Sequence, residues 1–431
     1  MKRKILKVCL ILIVVSGVAL IFKASPNEDL ESNLNKKKEM AIYIKNSDGN
    51  YEKTNMIPNE GYILNEEKSI CSNNAKPSWN FNSKSFVIKN LTKGSTSCYL
   101  YFDNYCRPED TACQTILANK EIDSRDRITG PLVDNTTGKI YVTKDNDGTS
   151  FYFAGDVDNN WVYFANNYWR IIRINGDGSV RMIYNGPTTD KTDESTKISS
   201  SFYSVEGKRD DSAYVGYMYG TPGSNNYQDT HANINDSAVK TIVDNWYKDN
   251  ILNLNLDKYI SKTASFCNDR TITEMTGYGT LGYGNNLTAY SPRSRMYKLD
   301  NTGWLSVNTP TLLCAQKNDL FTTNLANTGN NKLIYPVGLI SLDEAIFAGG
   351  FGNVPNNNFY LYTGYPYWTM SPCSMDTDGF TYISDVTKDG SVGATGANWK
   401  APGVRPVINL KSDIILTGNG TSDNPFRVEA N

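Results

Sequence analysis

The sequence predicts a mixed, largely antiparallel α+β body behind a small all-β module, and three observations lead there. Residues 40–104 consist of short alternating runs (MAIYIKN, GYILNEEKSIC, SKSFVIKNL, STSCYLYFD) separated by Gly, Asn, Pro and Ser, the pattern of strands and turns. From residue 151 the runs FYFAG, WVYF, YWRIIRI and VRMIYNG are joined by DVDNN, ANN and NGDGS, whose Asp, Asn and Gly suit tight hairpin turns. Two later segments change to a helical period. Val239, Ile242, Val243, Trp246 and Tyr247 fall on one face, and SLDEAIFAGG pairs Ser341 with Glu344 at capping-box spacing before Gly349-Gly350.

Taken in order, the chain opens on MKRK and Lys7, then a 15-residue apolar run, VCLILIVVSGVALIF at 8–22, closed by Lys23. A basic start and a run of that length read as a signal peptide or signal-anchor helix over residues 1–24, with the cations held inside. Residues 25–39 are a polar linker. The all-β module occupies 40–104 and the larger α+β domain 105–431. A short amphipathic helix at 107–122, with Pro108 in its first turn, opens that domain. Residues 185–235 are polar and loop-like around YVGYMYG, a helix follows Asp236 or Ser237, and YWTMSP, GFTYISDV, GVRPVINL and FRVE return to strands.

Charge narrows the function classes. The 431 residues carry 43 Lys and Arg against 45 Asp and Glu, a net of -2. Setting aside Lys2, Arg3, Lys4, Lys7 and Lys23 leaves 38 cations against 45 anions, a net of -7. No basic footprint for nucleic acid exists, and no second apolar run makes a polytopic membrane protein. The expected location is the cell membrane through residues 8–22 with an extracellular body, or secretion if the N-terminus is cleaved.

Of the eight cysteines, at 9, 71, 98, 106, 113, 267, 314 and 373, seven lie outside the apolar run. Export permits disulfides. Cys71 and Cys98 share the small module, and Cys267 and Cys314 share the large domain, so these are the expected pairs. Cys106 and Cys113 stand close enough to pair locally, and Cys373 is left single. Connectivity stays open, because spacing alone does not determine it.

Catalytic signatures are incomplete. His231 is the sole histidine; with Asp229 and Asp236 it forms the alternative site, a base oriented by a carboxylate. Ser237-Ala-Val-Lys240 and Ser422-Asp-Asn match two parts of the penicillin-binding signature, but only PFRVEAN follows and no K-T-G is present. The Asp-Gly clusters lack the register of an EF-hand, no CxxC occurs, and GYGTLGYG at 277–284 lacks the Lys-Ser/Thr of a P-loop. No metal site and no cofactor are expected.

The ordered set NNYWRIIRINGDGSVRMIYNG, YVGYMYG, DTHANINDS, DNWYKDNI, FCNDR, YPVGLISLDEAIFAGG, YWTMSP and GVRPVINL resembles an uncharacterised bacterial surface-protein family. The resemblance spans roughly 106–431. It implies a C-type-lectin-like fold, akin to formylglycine-generating-enzyme homologues and to the Fibrobacter major paralogous domain. It implies no activity. The close cysteine pair that holds copper in the formylglycine enzymes is absent, and the EPN, QPD or WND triplets of calcium-dependent lectins do not occur.

The remaining candidates are aromatic. Tyr365, Tyr367 and Trp368 precede MSP, and Trp399 lies in GATGANWKAPG. Rings near polar loops recognise sugars or proteins by stacking and area burial. An alternating strand such as YPYWTM must bury one face, which takes Trp368 toward the core, whereas Trp399 stands between the two roles. The expected function is a non-catalytic, surface-anchored binding or adhesion protein for a glycan, cell-wall fragment or protein. The alternatives are a cell-envelope enzyme using His231 and a structural surface protein without a ligand.

Overall fold

The computed structural model describes residues 9–15, 18–24, 40–46, 50–58, 62–80, 85–90, 96–107, 109–125, 127–296, 298–299 and 305–429. The chain forms two compact units, Met1–Glu109 and Asp110–Asn431.

In the first unit the apolar N-terminal run makes two strands, β1 (Cys9–Val15) and β2 (Val18–Ala24). They pair antiparallel from Cys9↔Ala24 to Val15↔Val18. The run is dense in β-branched Val and Ile, so its local preferences suit strands. No described helix is long and apolar enough to cross a membrane. The expected signal-anchor helix, and the membrane location that rested on it, are therefore corrected. The rest of this unit comprises β3 (Met40–Lys45), β4 (Tyr51–Thr54), β5 (Tyr62–Leu64), β6 (Ile70–Cys71), β7 (Lys76–Asn80), β8 (Ser85–Lys89) and β9 (Cys98–Asn104). One sheet runs β2-β1-β8-β7, and another runs β4-β3-β9-β5 with β6 also on β9. Leu100 and Phe102 of β9 alternate inward and are fully buried, against Ile42 and Phe86 at 1–2% exposure. Cys71 and Cys98 are register partners across β6 and β9 and are joined as a disulfide, Cα–Cα 4.1 Å.

In the second unit α1 (Thr111–Leu117) leads into β10 (Glu121–Ser124), β11 (Lys139–Asp145), β12 (Gly148–Tyr152), β13 (Trp161–Phe164), β14 (Asn167–Ile174) and β15 (Val180–Gly186). These are the meander that the turn sequences announced. Ala165 and Asn166 both take positive φ, 52° and 57°, between β13 and β14, the geometry of a tight hairpin turn. β14 and β15 are buried on both faces, which brings Arg170, Arg173 and Arg181 inside with the apolar residues. A second sheet orders β16 (Ser199–Ser200), β20 (Gly403–Val404), β17 (Tyr367–Met375), β18 (Thr381–Val386) and β19 (Val392–Gly396), while β21 (Val407–Leu410) joins β15 in the first sheet.

The helices that the sequence signalled do form, but they are short. α2 (Tyr227–Thr230) is one turn, α3 (Ala238–Tyr247) is capped by Ser237, α4 is Ser291–Met296, and α5 (Leu342–Phe347) carries the full Ser341–Glu344 capping box. Strand makes up 35% and helix 14%, distributed over several sheets, so the protein is mostly β. The expected α+β, C-type-lectin-like class is corrected accordingly. Two strong helix signals exist in the sequence, but each is bounded within about three turns by its own cap or stop, and the long polar segments between them add short strands instead of helix.

Candidate functional site

His231 follows the single turn of α2 and is fully buried. Its Nδ1 lies 2.9 Å from the Tyr227 carbonyl, and its ring stacks on Tyr227 with centroids 4.2 Å apart. Burial, then the charge of Arg270, drives the imidazole down to about 3, with the Tyr227 carbonyl pulling the other way. It is neutral at ordinary pH, with its Nδ1 proton committed to a carbonyl. Asp229 accepts from Asn226 Nδ2 at 2.6 Å, and Asp236 pairs with Lys240 at 3.2 Å. Neither carboxylate bonds to His231, so the alternative trio is not assembled. Among the described residues no group of three His, Cys, Asp or Glu is placed to hold a metal.

A small cleft lies in the second unit between the β11–β12 turn, β15 and the start of α5. Its floor is ionic. Arg173 bonds Asp145 at 2.5 Å and Glu344 at 2.9 Å, and Arg181 meets the same Glu344 oxygen at 2.5 Å. Arg295 forks onto Asp343 at 2.7 Å through two nitrogens and reaches Asp269 at 2.8 Å. Burial works to raise the Glu344 carboxyl, but Arg181 and Arg173 outweigh it and hold it below its usual range. Each guanidinium is paired with at least one carboxylate, and the Arg173 and Arg181 bonds to Glu344 tie β14 and β15 to α5, so the floor is a structural cross-link. Only Asp147 at the rim is an exposed acid; burial, then Asp145 and Asp177, raise it.

The four predicted aromatics part company. Tyr367 is 1% exposed, its hydroxyl donating to the Leu361 carbonyl at 3.0 Å. Trp368 is fully buried against Tyr203, its Nε1 donating to the Ser201 carbonyl at 2.7 Å. Both are core residues. Tyr365 is half-buried with the Lys197 ammonium 5.0 Å from its ring centre, and no hydrogen bond or ring contact joins it to Trp399.

Trp399 is different: it is 59% exposed. The loop that carries it is pinned at both ends. Ala397 donates to Thr381 at 3.0 Å, Tyr203 to Ala397 at 2.8 Å, Ser201 to Pro402 at 3.3 Å and Gly403 to Pro366 at 2.7 Å, all through backbone atoms. The indole lies against Gly396 of β19, where a Cβ would stand 3.4 Å from Cδ1 and 3.7 Å from Nε1. Gly396 is the register partner of Tyr382 on β18. Directly opposed residues project from the same sheet face, so the half-buried Tyr382 stands beside the indole. The Tyr382 hydroxyl donates to Asp378 Oδ2 at 2.6 Å. Two residues before it, Phe380 carries the Arg209 guanidinium 3.2 Å from its ring centre.

Trp399 and Tyr382 are thus linked through Gly396 across the β18–β19 register, and Phe380 lies two residues before Tyr382. Among the described residues no ring-to-ring contact joins the three, and with Asp378, Arg209 and the exposed Lys400 they make up an aromatic surface patch. Sequence reading found only Trp399 of this set. The alternation in GFTYISDV carried a signal for the other two rings, Phe380 and Tyr382 being two apart, but nothing local links residue 382 with 396 or 399. Comparison with known protein families, characterised proteins and solved structures finds no match.

Proposed function

We propose that the Asp110–Asn431 unit is a recognition module without catalytic chemistry, and that the platform around Trp399 is its saccharide-binding face. The observation that carries this reading is the 59% exposed indole on a loop fastened at both ends, laid beside Tyr382. A pinned loop displays its ring at little conformational cost, which is what a rigid aromatic contact requires. The apolar face of a sugar ring stacks on such a surface, and the unpartnered Trp399 Nε1–H and the Asp378 carboxylate supply hydrogen bonds at its edge. The enzyme alternative depended on His231 as a base, and its burial with a pKa of about 3 gives that reading no support.

The test is a glycan and cell-wall-fragment array with the whole chain, followed by titration of the best ligand monitored by tryptophan fluorescence. Trp399→Ala should weaken binding by at least about 1 kcal/mol, roughly fivefold, with little change in melting temperature, because most of the residue's surface is exposed. Unaltered affinity in that variant would refute the platform.

A further inference from the structure

Arg209 is held in a manner that its surroundings do not use. Its carbonyl accepts from the Thr381 backbone at 2.7 Å and from the Thr381 hydroxyl at 3.2 Å, which fastens the residue to the start of β18. Its guanidinium carbon stands 3.2 Å from the centre of the Phe380 ring. Yet among the described residues none of its five N–H donors meets an acceptor, and no carboxylate lies within ion-pair distance. The nearby acid, Asp378, is already engaged by the Tyr382 hydroxyl at 2.6 Å and the Phe380 amide at 3.0 Å. Arg173, Arg181, Arg270 and Arg295, by contrast, are each locked onto carboxylates, while Arg427 over Tyr163 shares the stacked setting of Arg209.

Arg209 also belongs to the platform electrostatically. The Tyr382 hydroxyl is pushed up to about 12, first by its bond to Asp378 and then by burial, while the Arg209 charge acts on it in the opposite sense. A planar guanidinium, pre-oriented on an aromatic ring with its donors unoccupied, matches a planar carboxylate and accepts it through two parallel hydrogen bonds.

We infer that Arg209 is a carboxylate receptor at the edge of the platform, so that the ligand is an acidic saccharide of the uronic-acid type. Its ring lies on Trp399 and Tyr382 and its carboxylate on Arg209. This rests on the platform reading above, and the experiment separates the two. Uronic-acid oligosaccharides are titrated beside the same oligosaccharides with their carboxyl groups reduced to alcohols, against the unaltered chain, Arg209→Gln and Trp399→Ala. The expected result is that carboxyl reduction and Arg209→Gln each weaken binding about tenfold, without adding to one another, and that Arg209→Lys restores little because it cannot bind in a fork. Trp399→Ala weakens both oligosaccharides. Equal binding of the acidic and reduced forms, both sensitive to Trp399→Ala, would overturn the carboxylate assignment and leave the platform standing. Binding that depends on Arg209 but not on Trp399 would overturn the platform, and no binding of either oligosaccharide would overturn the acidic-saccharide inference.

Discussion

Asp385 shows how strongly a single residue's meaning depends on what surrounds it. It lies on β18 at 2% exposure, with Oδ2 accepting from Thr395 at 2.9 Å and Oδ1 without a partner. Burial above all raises its carboxyl from 3.8 to about 7, with Asp389 adding to the rise and the Thr395 bond opposing it. Because the folded state holds this proton more tightly than the unfolded state, the associated stability is fully present below about pH 4. It is lost as pH rises toward 7, by up to about 4 kcal/mol. Asp385→Asn removes the ionisation and should therefore raise the melting temperature at pH 8 while changing little at pH 4. The same gain at both pH values would show that the carboxyl is already ionised in the fold. In GFTYISDV strand alternation puts Asp385 on the face of Ile383, which is the one local sign of its burial; nothing local shows that its carboxyl meets no cation. His231 is a similar case. Its flanking aspartates suggested an oriented base, yet the imidazole is sealed against Tyr227 and they bond elsewhere.

Among the elements, α5 was the most legible in part and the least legible in whole. Ser341 and Glu344 are three residues apart and form the predicted box, Ser341 Oγ accepting from the Glu344 amide at 3.1 Å and Glu344 Oε2 from the Ser341 amide at 2.9 Å. The other Glu344 oxygen holds Arg173 and Arg181, from strands more than 160 residues earlier in the chain. These two functions separate by magnitude. Ser341→Ala removes one cap bond and should cost about 1 kcal/mol in urea unfolding. Glu344→Ala leaves two guanidiniums buried with one carboxylate between them and should cost about 3–5 kcal/mol. Equal losses would mean that the ionic cross-link contributes nothing beyond the cap. The hairpin turns of the meander were readable because a turn needs particular φ values within a few residues. The platform was not, since Trp399 reaches Tyr382 only through the β18–β19 register.

For the molecule as a whole, covalent closure sets the scale of stability. Cys267 and Cys314 are bonded across 47 residues, Cα–Cα 5.8 Å, and Cys71 and Cys98 across 27. Cys106 and Cys113 are also disulfide-bonded, and Cys373 is a buried free thiol. Loop closure of that length contributes about 4 kcal/mol in the chain-entropy account, so Cys267→Ala/Cys314→Ala should lower the urea midpoint of the Asp110–Asn431 unit substantially. An unchanged midpoint would place the restraint in contacts alone. The sequence by itself determined the turn positions, the caps and the meander, because each depends on chemistry within a few residues; it offered the two cysteine pairs as expectations, and the fold joined them. Tertiary structure alone decided that Cys9–Val15 and Val18–Ala24 are paired strands, that short helices do not outweigh the sheets, and that Tyr367 and Trp368 are core while Trp399 is surface. Apolar composition states that a segment avoids water; only its pairing partners and the packing of distant strands determine where, and in what conformation, it does so.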